Sequence, residues 1–161
     1  MPQTPALPWQ LMRVAKWGPR TLYALGLGPL IGRLILLLTT TGRKTGRARV
    51  TPLQYEEEAG VIYVGAARGV QADWYRNLAA NPQVEVQVKS RHFRGQAEPI
   101  TDRGRIADFL ELRLRRHPGM VRGMLRLHGL TAFPPSRADL EQLAAQLAVV
   151  AIRPAPEEKQ P

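Results

Sequence analysis

The chain has 161 residues, 23 Lys and Arg against 13 Asp and Glu, a formal net charge of +10 and no cysteine. That length is typical of one domain with its own core. Without cysteine, the chain has no disulfides, thiolate nucleophiles or cysteine-based zinc sites. Its three histidines, His92, His117 and His128, are not at metal-ligand spacing. We therefore expect no metal site.

The first third of the chain contains the most apolar stretch, residues 21–38, but three glycines, Pro29 and Arg33 interrupt it. It is too far from Met1 for a signal peptide and too broken for a membrane span. We therefore expect a cytoplasmic protein. Residues 7–25 have apolar side chains at helical spacing, with rings and cations beside them. This pattern predicts a helix that packs on the core, with peripheral membrane contact as the alternative.

Short strands follow in quick succession. Residues 34–40 form an apolar run of strand length, and residues 50–56 and 61–67 are predicted to pair as a hairpin. Val84, Val86 and Val88 alternate with polar residues, which is typical of a strand with one wet face. A tight turn then leads to a fifth strand over residues 92–98.

Helices are predicted between and after these strands. Asp73 is expected to cap a short helix over residues 74–80. Thr101 or Asp102 caps a longer helix that ends at Pro118, and a further helical piece runs to about residue 129. Ser136, with Asp139 as its capping-box partner, begins a last helix before a closing strand over residues 147–153.

The gaps between strands are too short for parallel crossover helices. We therefore predict an α+β fold, a small and mainly antiparallel barrel of about six strands. Helices are predicted to pack on this barrel, one segment at the N-terminus and another before the last strand. The predicted single domain, residues 1–161, divides into a helical segment 1–33, a barrel core 34–100, a helical segment 101–146, a closing strand 147–154 and a loose tail 155–161.

The strongest functional signal is the basic loop, residues 42–49, which contains Arg43, Lys44, Arg47 and Arg49. Its two glycines allow backbone amides to approach an anion. The spacing is not that of a Walker P-loop, and no helix follows. A solvated basic hairpin is the alternative. A nucleic-acid site would need stacking aromatic residues or a second basic stripe nearby, and neither is evident.

The strings LLLTTTGRKTGRARVTPL, AARG and DWYRNLAANPQVEVQV, in this order, resemble the deazaflavin-dependent nitroreductase and quinone reductase family. The resemblance covers residues 34 to about 100. It implies a split β-barrel, of the FMN-binding-like kind, that uses coenzyme F420. It also implies that the phosphate and acidic tail of this cofactor lie on the basic loop.

The resemblance assigns a cofactor-binding role to several groups of residues. The residues implied for the polar end of F420 are Arg43, Lys44, Thr45, Gly46 and Arg49. The residues whose backbone is implied to lie along the deazaflavin ring are Val50, Thr51, Pro52 and Leu53. The small segment implied beside the ring is Gly65, Ala66, Ala67 and Arg68. Trp74, Tyr75 and Asn77 complete the pattern, although Trp74 and Tyr75 could equally pack a helix on the barrel. Arg47 is outside the pattern and is predicted to be a solvated charge.

The substrate side departs from the family pattern, because His117 and Met120 stand where the best-known members have tyrosines. His117 is either a proton donor or simply a helix end before Pro118. The sequence therefore indicates the identity of the substrate less clearly than that of the cofactor.

The resemblance implies an F420H2-dependent oxidoreductase that transfers hydride to a quinone or nitro compound. Cofactor enzymes need no catalytic triad, because hydride transfer is the cofactor's own chemistry. A flavoprotein that prefers FMN is the first alternative. A non-enzymatic carrier or a basic nucleic-acid-binding module is the second, although no nucleic-acid partner is expected. Barrels of this class often form homodimers, which is a further expectation.

Overall fold

Six antiparallel strands form a closed barrel in the computed structural model, which describes residues 35–66 and 68–156. The strands are β1 Ile35–Thr41, β2 Ala48–Glu58, β3 Val61–Ala66, β4 Gln83–Val88, β5 Arg91–Ile100 and β6 Ala148–Pro154. They follow one another around the barrel in the order β1, β2, β3, β6, β5, β4, and β4 pairs back with β1. The predicted fold class is confirmed. Each predicted strand is present, with ends that differ from the predicted ones by two residues at most.

Alternation along the strands determines which side chains fill the barrel. Val84, Val86 and Val88 are buried in the interior, while Glu85 and Gln87 between them are half-exposed. Inward-facing residues of β1, β3 and β6 join the same cluster, among them Leu38 and Val64. Period-2 patterning therefore specifies the register, since a slip of one residue would turn every valine outward.

Helix α1, Asp73–Ala80, packs against β1 and β5. Its side chains Trp74, Tyr75 and Leu78 belong to the interior cluster. A single 3-10 turn, Gly69–Gln71, connects it to β3.

Three further helices cover the outer face of β3 and β6. They are α2 Arg103–Arg116, α3 Pro118–Leu127 and α4 Arg137–Ala144. Their apolar faces form a second cluster with outward-facing residues such as Val149 and Ala151.

The predicted helix ends are partly confirmed. Asp102 caps α2 by accepting a hydrogen bond from the Arg105 backbone N–H at 2.8 Å. Ser136 and Asp139 form the predicted capping box at the start of α4. The cap predicted at Asp73 is wrong: α1 begins at Asp73 itself, Ala72 is at the cap position, and no side chain caps the helix. The reason is that the Asp73 carboxylate is bonded to Arg43, which lies 30 residues earlier.

The predicted N-terminal helix and its membrane contact lie outside the described residues. Within residues 35–66 and 68–156, no helix is long and apolar enough to cross a membrane.

Candidate cofactor site

The basic loop between β1 and β2 has a fixed backbone. The Gly42 N–H donates to the Arg47 carbonyl, and the Gly46 N–H donates to the Gly42 carbonyl, both at 2.8 Å. Gly46 has a φ of +66°, in the left-handed region that favours glycine. A Cβ on Gly42 would lie 2.9 Å from the Thr45 hydroxyl oxygen and 3.1 Å from the Arg47 carbonyl oxygen. The loop therefore needs both glycines.

Asn77 on α1 holds this loop against the barrel. Its side-chain oxygen accepts from the Arg43 backbone N–H at 3.2 Å and from Arg43 Nη1 at 3.0 Å. Its amide nitrogen donates to the Thr40 hydroxyl at 3.3 Å. Because a guanidinium can only donate, the amide oxygen must face Arg43. Asn77 is only 5% exposed, so its bond to Thr40 is shielded from water, whereas its bonds to Arg43 are partly buried.

Arg43 also bonds Asp73, through Nη2 and a carboxylate oxygen 3.1 Å apart. The pKa of Asp73 lies below its ordinary value. The main cause is the hydrogen bond from Arg43, and the second is the attraction of the positive charge on Arg43. Asp73 is exposed, so this pair adds little to stability. Arg43 is predicted to bind the cofactor, yet in the folded protein its guanidinium already has two partners on α1.

Lys44 and Arg49 are different, because neither side chain has a hydrogen-bond or ion-pair partner within the described residues. Both are exposed at the β1–β2 end of the barrel, and so is Arg47. Among the predicted cofactor-binding cations of the basic loop, Lys44 and Arg49 are therefore the two whose charge remains available to an external anion. Thr45 is exposed as well, and its hydroxyl accepts from the Arg47 backbone N–H at 3.3 Å.

The first half of β2 has one strand neighbour instead of two. Residues 48–54 pair with β1, whereas β3 pairs only with residues 55–58. No described strand pairs with the other edge of Val50, Thr51, Pro52 and Leu53, the residues predicted to lie along the ring. Pro52 fits such an edge, since a proline cannot donate to a neighbouring strand. The barrel closes through residues 55–58 of β2, but beside the basic loop the sheet has a gap, because the backbone groups along this edge pair with no strand in the part of the chain that the structure describes.

The end of β3 lies across this split. Ala66 is buried in the barrel interior, and Arg68 is exposed in the turn that follows. A Cβ on Gly65 would point at the Phe109 ring, 3.8 Å away, so α2 covers that side of the glycine. Ala67 lies outside the described residues.

Trp74 and Tyr75 are both buried, with their rings edge-to-face and 6.2 Å apart. Both belong to the interior cluster. Trp74 and Tyr75 therefore pack α1 on the barrel, and their contact with a cofactor stays a prediction, while Asn77 contacts the basic loop directly.

A buried charge cluster lies further along β2, and the sequence did not predict it. We call Glu56, Arg113, Arg116 and His117 the Glu56 cluster. The Glu56 carboxylate lies 3.3 Å from Arg113 Nε, 3.1 Å from Arg116 Nη1 and 3.2 Å from His117 Nε2. Glu56 is only 4% exposed, and burial lowers the pKa of Arg113 against the opposing effect of Glu56. The cluster ties β2 to the junction between α2 and α3.

Met120 also lies at this junction. Arg113 Nη2 contacts the Met120 sulfur at 3.1 Å and the Gln54 side-chain oxygen at 3.3 Å. Gln54 directly follows Leu53, the last residue predicted to lie along the ring. His117 and Met120 are therefore brought to the same strand as the predicted ring site, although they are about 65 residues away from it in sequence.

A separate cleft of about 140 Å³ lies between α2 and the barrel, lined by Tyr63, Phe109, Arg105 and Asp108 among others. Ligand pockets usually measure about 300–1,000 Å³, so this cleft is too small for a deazaflavin ring. Within the described part of the chain, no group of His, Asp or Glu side chains is arranged to hold a metal ion.

Comparison with known proteins identifies the family and the fold of the chain. A sequence model described as F420H(2)-dependent quinone reductase matches residues 11–124. An F420H(2)-dependent quinone reductase of Mycobacterium tuberculosis is 40% identical over 68 residues, which make up 40% of this chain and 46% of that protein. The chain thus spans about half the length of this relative.

Solved structures show the same fold. A structure described as an F420-H2 dependent reductase is 27% identical, covers 74% of this chain and 93% of its own, and has a TM-score of 0.51. A second structure, described as an F420 reductase, is 21% identical, covers 77% and 88%, and has a TM-score of 0.50. Because the second structure is only 21% identical to this chain, its similarity shows the fold alone. The sequence match extends over most of the chain, and the chain belongs to the F420H(2)-dependent quinone reductase family.

Proposed function

We propose that this protein is an F420H2-dependent quinone reductase that binds the polar end of F420 on the basic loop. The observation that carries the proposal is the position of Lys44 and Arg49, two exposed cations that have no partner among the described residues, beside the edge of β2 that no described strand pairs with. Family membership supports the same conclusion.

The residues present suit the chemistry of this cofactor. A phosphate and a glutamate tail make one end of F420 a polyanion. Charge-assisted hydrogen bonds from arginine to such groups are about twice as strong as neutral ones. Lys44 and Arg49 would supply these bonds, and Asn77 would keep the loop in place through Arg43. The proposed role of Arg43 is therefore to position the loop as well as to add positive charge.

The edge of β2 at residues 50–53, which pairs with no strand of the described chain, suits the ring end of the cofactor. The deazaflavin supplies the hydride when it is bound in reduced form. The protein's tasks are to bind, to orient and to limit the access of water. Met120 and His117 are proposed to line the acceptor side, since Arg113 and Glu56 hold them beside Gln54. A flat, apolar quinone is the acceptor that a methionine-lined surface suits best.

Replacing Arg49 with alanine is expected to weaken F420 binding by about 1.5–3 kcal/mol, because one charge-assisted contact is lost. The free energy of unfolding should hardly change, because Arg49 is exposed and has no hydrogen-bond or ion-pair partner in the described part of the chain. The matched control is Arg47→Ala, which removes an equal charge from the same loop and should weaken binding far less. Titration of F420 fluorescence measures both. Equal losses for the two variants would assign the effect to general charge and contradict the proposed role of Arg49.

Replacing Met120 with aspartate is expected to raise KM for menadione-like quinones several-fold, because a charge would replace an apolar contact surface. The affinity for F420 should stay unchanged. Leu127→Asp, two helical turns from Met120 and far more exposed, is the control for added charge. Steady-state kinetics with F420H2 and a quinone series measures both variants. Unchanged KM values for Met120→Asp would place α3 away from the acceptor.

FMN is the second candidate cofactor, because its single phosphate could also bind to the basic loop. Lys44, Arg49 and Arg43 together have more positive charge than one phosphate needs, and this favours F420 over FMN. Nitro compounds as acceptors, a homodimer and a cytoplasmic location stay predictions.

A further inference from the structure

Within the described residues, the basic loop contacts a single acidic side chain, Asp73 at the start of α1. No Asp or Glu precedes Glu56 in the chain, and Asp73 is the only one between Glu58 and Glu85. Its carboxylate does not cap α1, and its one hydrogen-bond partner in the described part of the chain is Arg43 Nη2, at 3.1 Å. This contact therefore joins the cationic loop to the one negative side chain beside it.

The two ends of the Arg43 guanidinium are held differently. Nη1 donates to the side-chain oxygen of Asn77 at 3.0 Å, in a partly buried position. Nη2 faces Asp73, whose side chain is 81% exposed, whereas that of Arg43 is 24% exposed. An ion pair at such an exposed position adds little to stability, so it costs little to break. Arg43 can therefore exchange Asp73 for another anion while its bond to Asn77 persists.

The Asp73 carboxylate lies at a place that favours negative charge. Arg43 is its nearest cation, and the charges of Arg76 and Arg68 also act on it. Arg68 and Arg76 are both exposed, and neither side chain has a hydrogen-bond or ion-pair partner among residues 35–66 and 68–156. One carboxylate thus lies among three arginines. The positive charge around it would attract a second negative group to the same place.

We propose that Asp73 is an internal competitor of the cofactor: it occupies Arg43 Nη2 in the free protein, and the polyanionic end of F420 displaces it. The inference rests on the proposed function, because that function places this end of F420 on the basic loop. Lys44 and Arg49 are available to the cofactor from the start, whereas Arg43 becomes available only after the exchange. Asp73 thus lowers the affinity in two ways, since it occupies Arg43 and repels the incoming anion.

The opposite role for Asp73 would be to orient Arg43 for the ligand. Asn77 already does this, because it accepts hydrogen bonds from both the backbone N–H and Nη1 of Arg43. The two roles predict changes of opposite sign. Removing a competitor strengthens anion binding, whereas removing an orienting group weakens it.

Replacing Asp73 with asparagine is the direct test, because it keeps the size of the side chain and removes its charge. The affinity for F420, measured by fluorescence titration of the full-length protein, should rise about three- to tenfold. The affinity for inorganic tripolyphosphate, measured by calorimetry, should rise by a similar factor. Tripolyphosphate has no ring, so it tests the anion site without the rest of the cofactor. Both gains should shrink as salt is added, because salt screens the repulsion.

Two matched variants separate this effect from a change in net charge. Asp73→Glu keeps a carboxylate near Arg43 and should bind both ligands like the wild type. Glu58→Gln removes an exposed negative charge at the other end of β2 and should leave both affinities unchanged. Urea denaturation should give Asp73→Asn nearly the stability of the wild type, because the pair that it breaks is exposed.

Weaker or unchanged binding of tripolyphosphate by Asp73→Asn would overturn the proposal, and so would an equal gain in Glu58→Gln. If the wild type and Asp73→Asn bound F420 equally well, the proposed function would stand and this inference would fail. If F420 did not bind while Asp73→Asn bound tripolyphosphate more tightly than the wild type, the proposed function would fail. The competition between Asp73 and an external anion would then stand alone.

Discussion

Replacing Glu56 with glutamine is expected to lower the free energy of unfolding by about 3–5 kcal/mol. The substitution keeps the shape of the side chain but removes the one negative charge that faces Arg113, Arg116 and His117. Arg113 is buried and would be left without a counter-charge. Its Nε and Glu56 Oε1 are within ion-pair distance but lack hydrogen-bond geometry, so the attraction depends on charge rather than on alignment. Urea denaturation measures the change.

The neighbouring residue gives a matched control. Glu57→Gln breaks a pair with Arg91 at the surface, where both side chains contact water, and should cost no more than about 1 kcal/mol. A double variant, Glu56→Gln with Arg113→Met, should recover much of the lost stability, because it removes the uncompensated charge as well. A Glu56→Gln variant as stable as Glu57→Gln would show that the Glu56 cluster does not hold α2 and α3 on the barrel.

Replacing Asn77 with alanine is expected to lower the free energy of unfolding by about 2–3 kcal/mol. The change removes two hydrogen bonds to Arg43 and one to Thr40, and it leaves the Arg43 backbone N–H without its acceptor. The basic loop would lose its attachment to α1. F420 affinity should therefore fall by about tenfold, because the loop would have to be ordered on binding.

Asn81→Ala is the control for this prediction. Asn81 follows α1 and accepts one hydrogen bond from the Gln83 backbone N–H at the surface, so its loss should cost about 1 kcal/mol or less. It should not change F420 affinity. A destabilised Asn77→Ala variant that still binds F420 like the wild type would show that ordering of the loop by α1 is irrelevant to the cofactor.

The barrel could be predicted because its strands have local signals. Val84, Val86 and Val88 alternate with polar residues, and this pattern fixes both the strand and its buried face. The order of the strands around the barrel had no such signal. The pairing of β3 with β6 joins residues more than 80 positions apart, such as Val64 and Val150.

The candidate site was predictable to the extent that its residues are close in sequence. The basic loop is one short segment, and its four cations lie within seven consecutive residues. The role of Asp73 could not be predicted from the sequence, because a hydrogen bond to the distant Arg43 overrides the local preference of an aspartate for a helix cap. The Glu56 cluster had no sequence signal either, since the partners of Glu56 are 57–61 residues further along the chain and only the packing of α2 and α3 brings them together.

The most direct test of the central claim is a titration of the full-length protein with oxidised F420 and, separately, with FMN, followed by fluorescence at moderate salt. The basic loop has more positive charge than one phosphate needs, so F420 should bind more tightly than FMN. Arg49→Ala should reduce that preference by losing more affinity for F420 than for FMN. Tighter binding of FMN than of F420, or equal binding of both that Arg49→Ala leaves unchanged, would contradict the account.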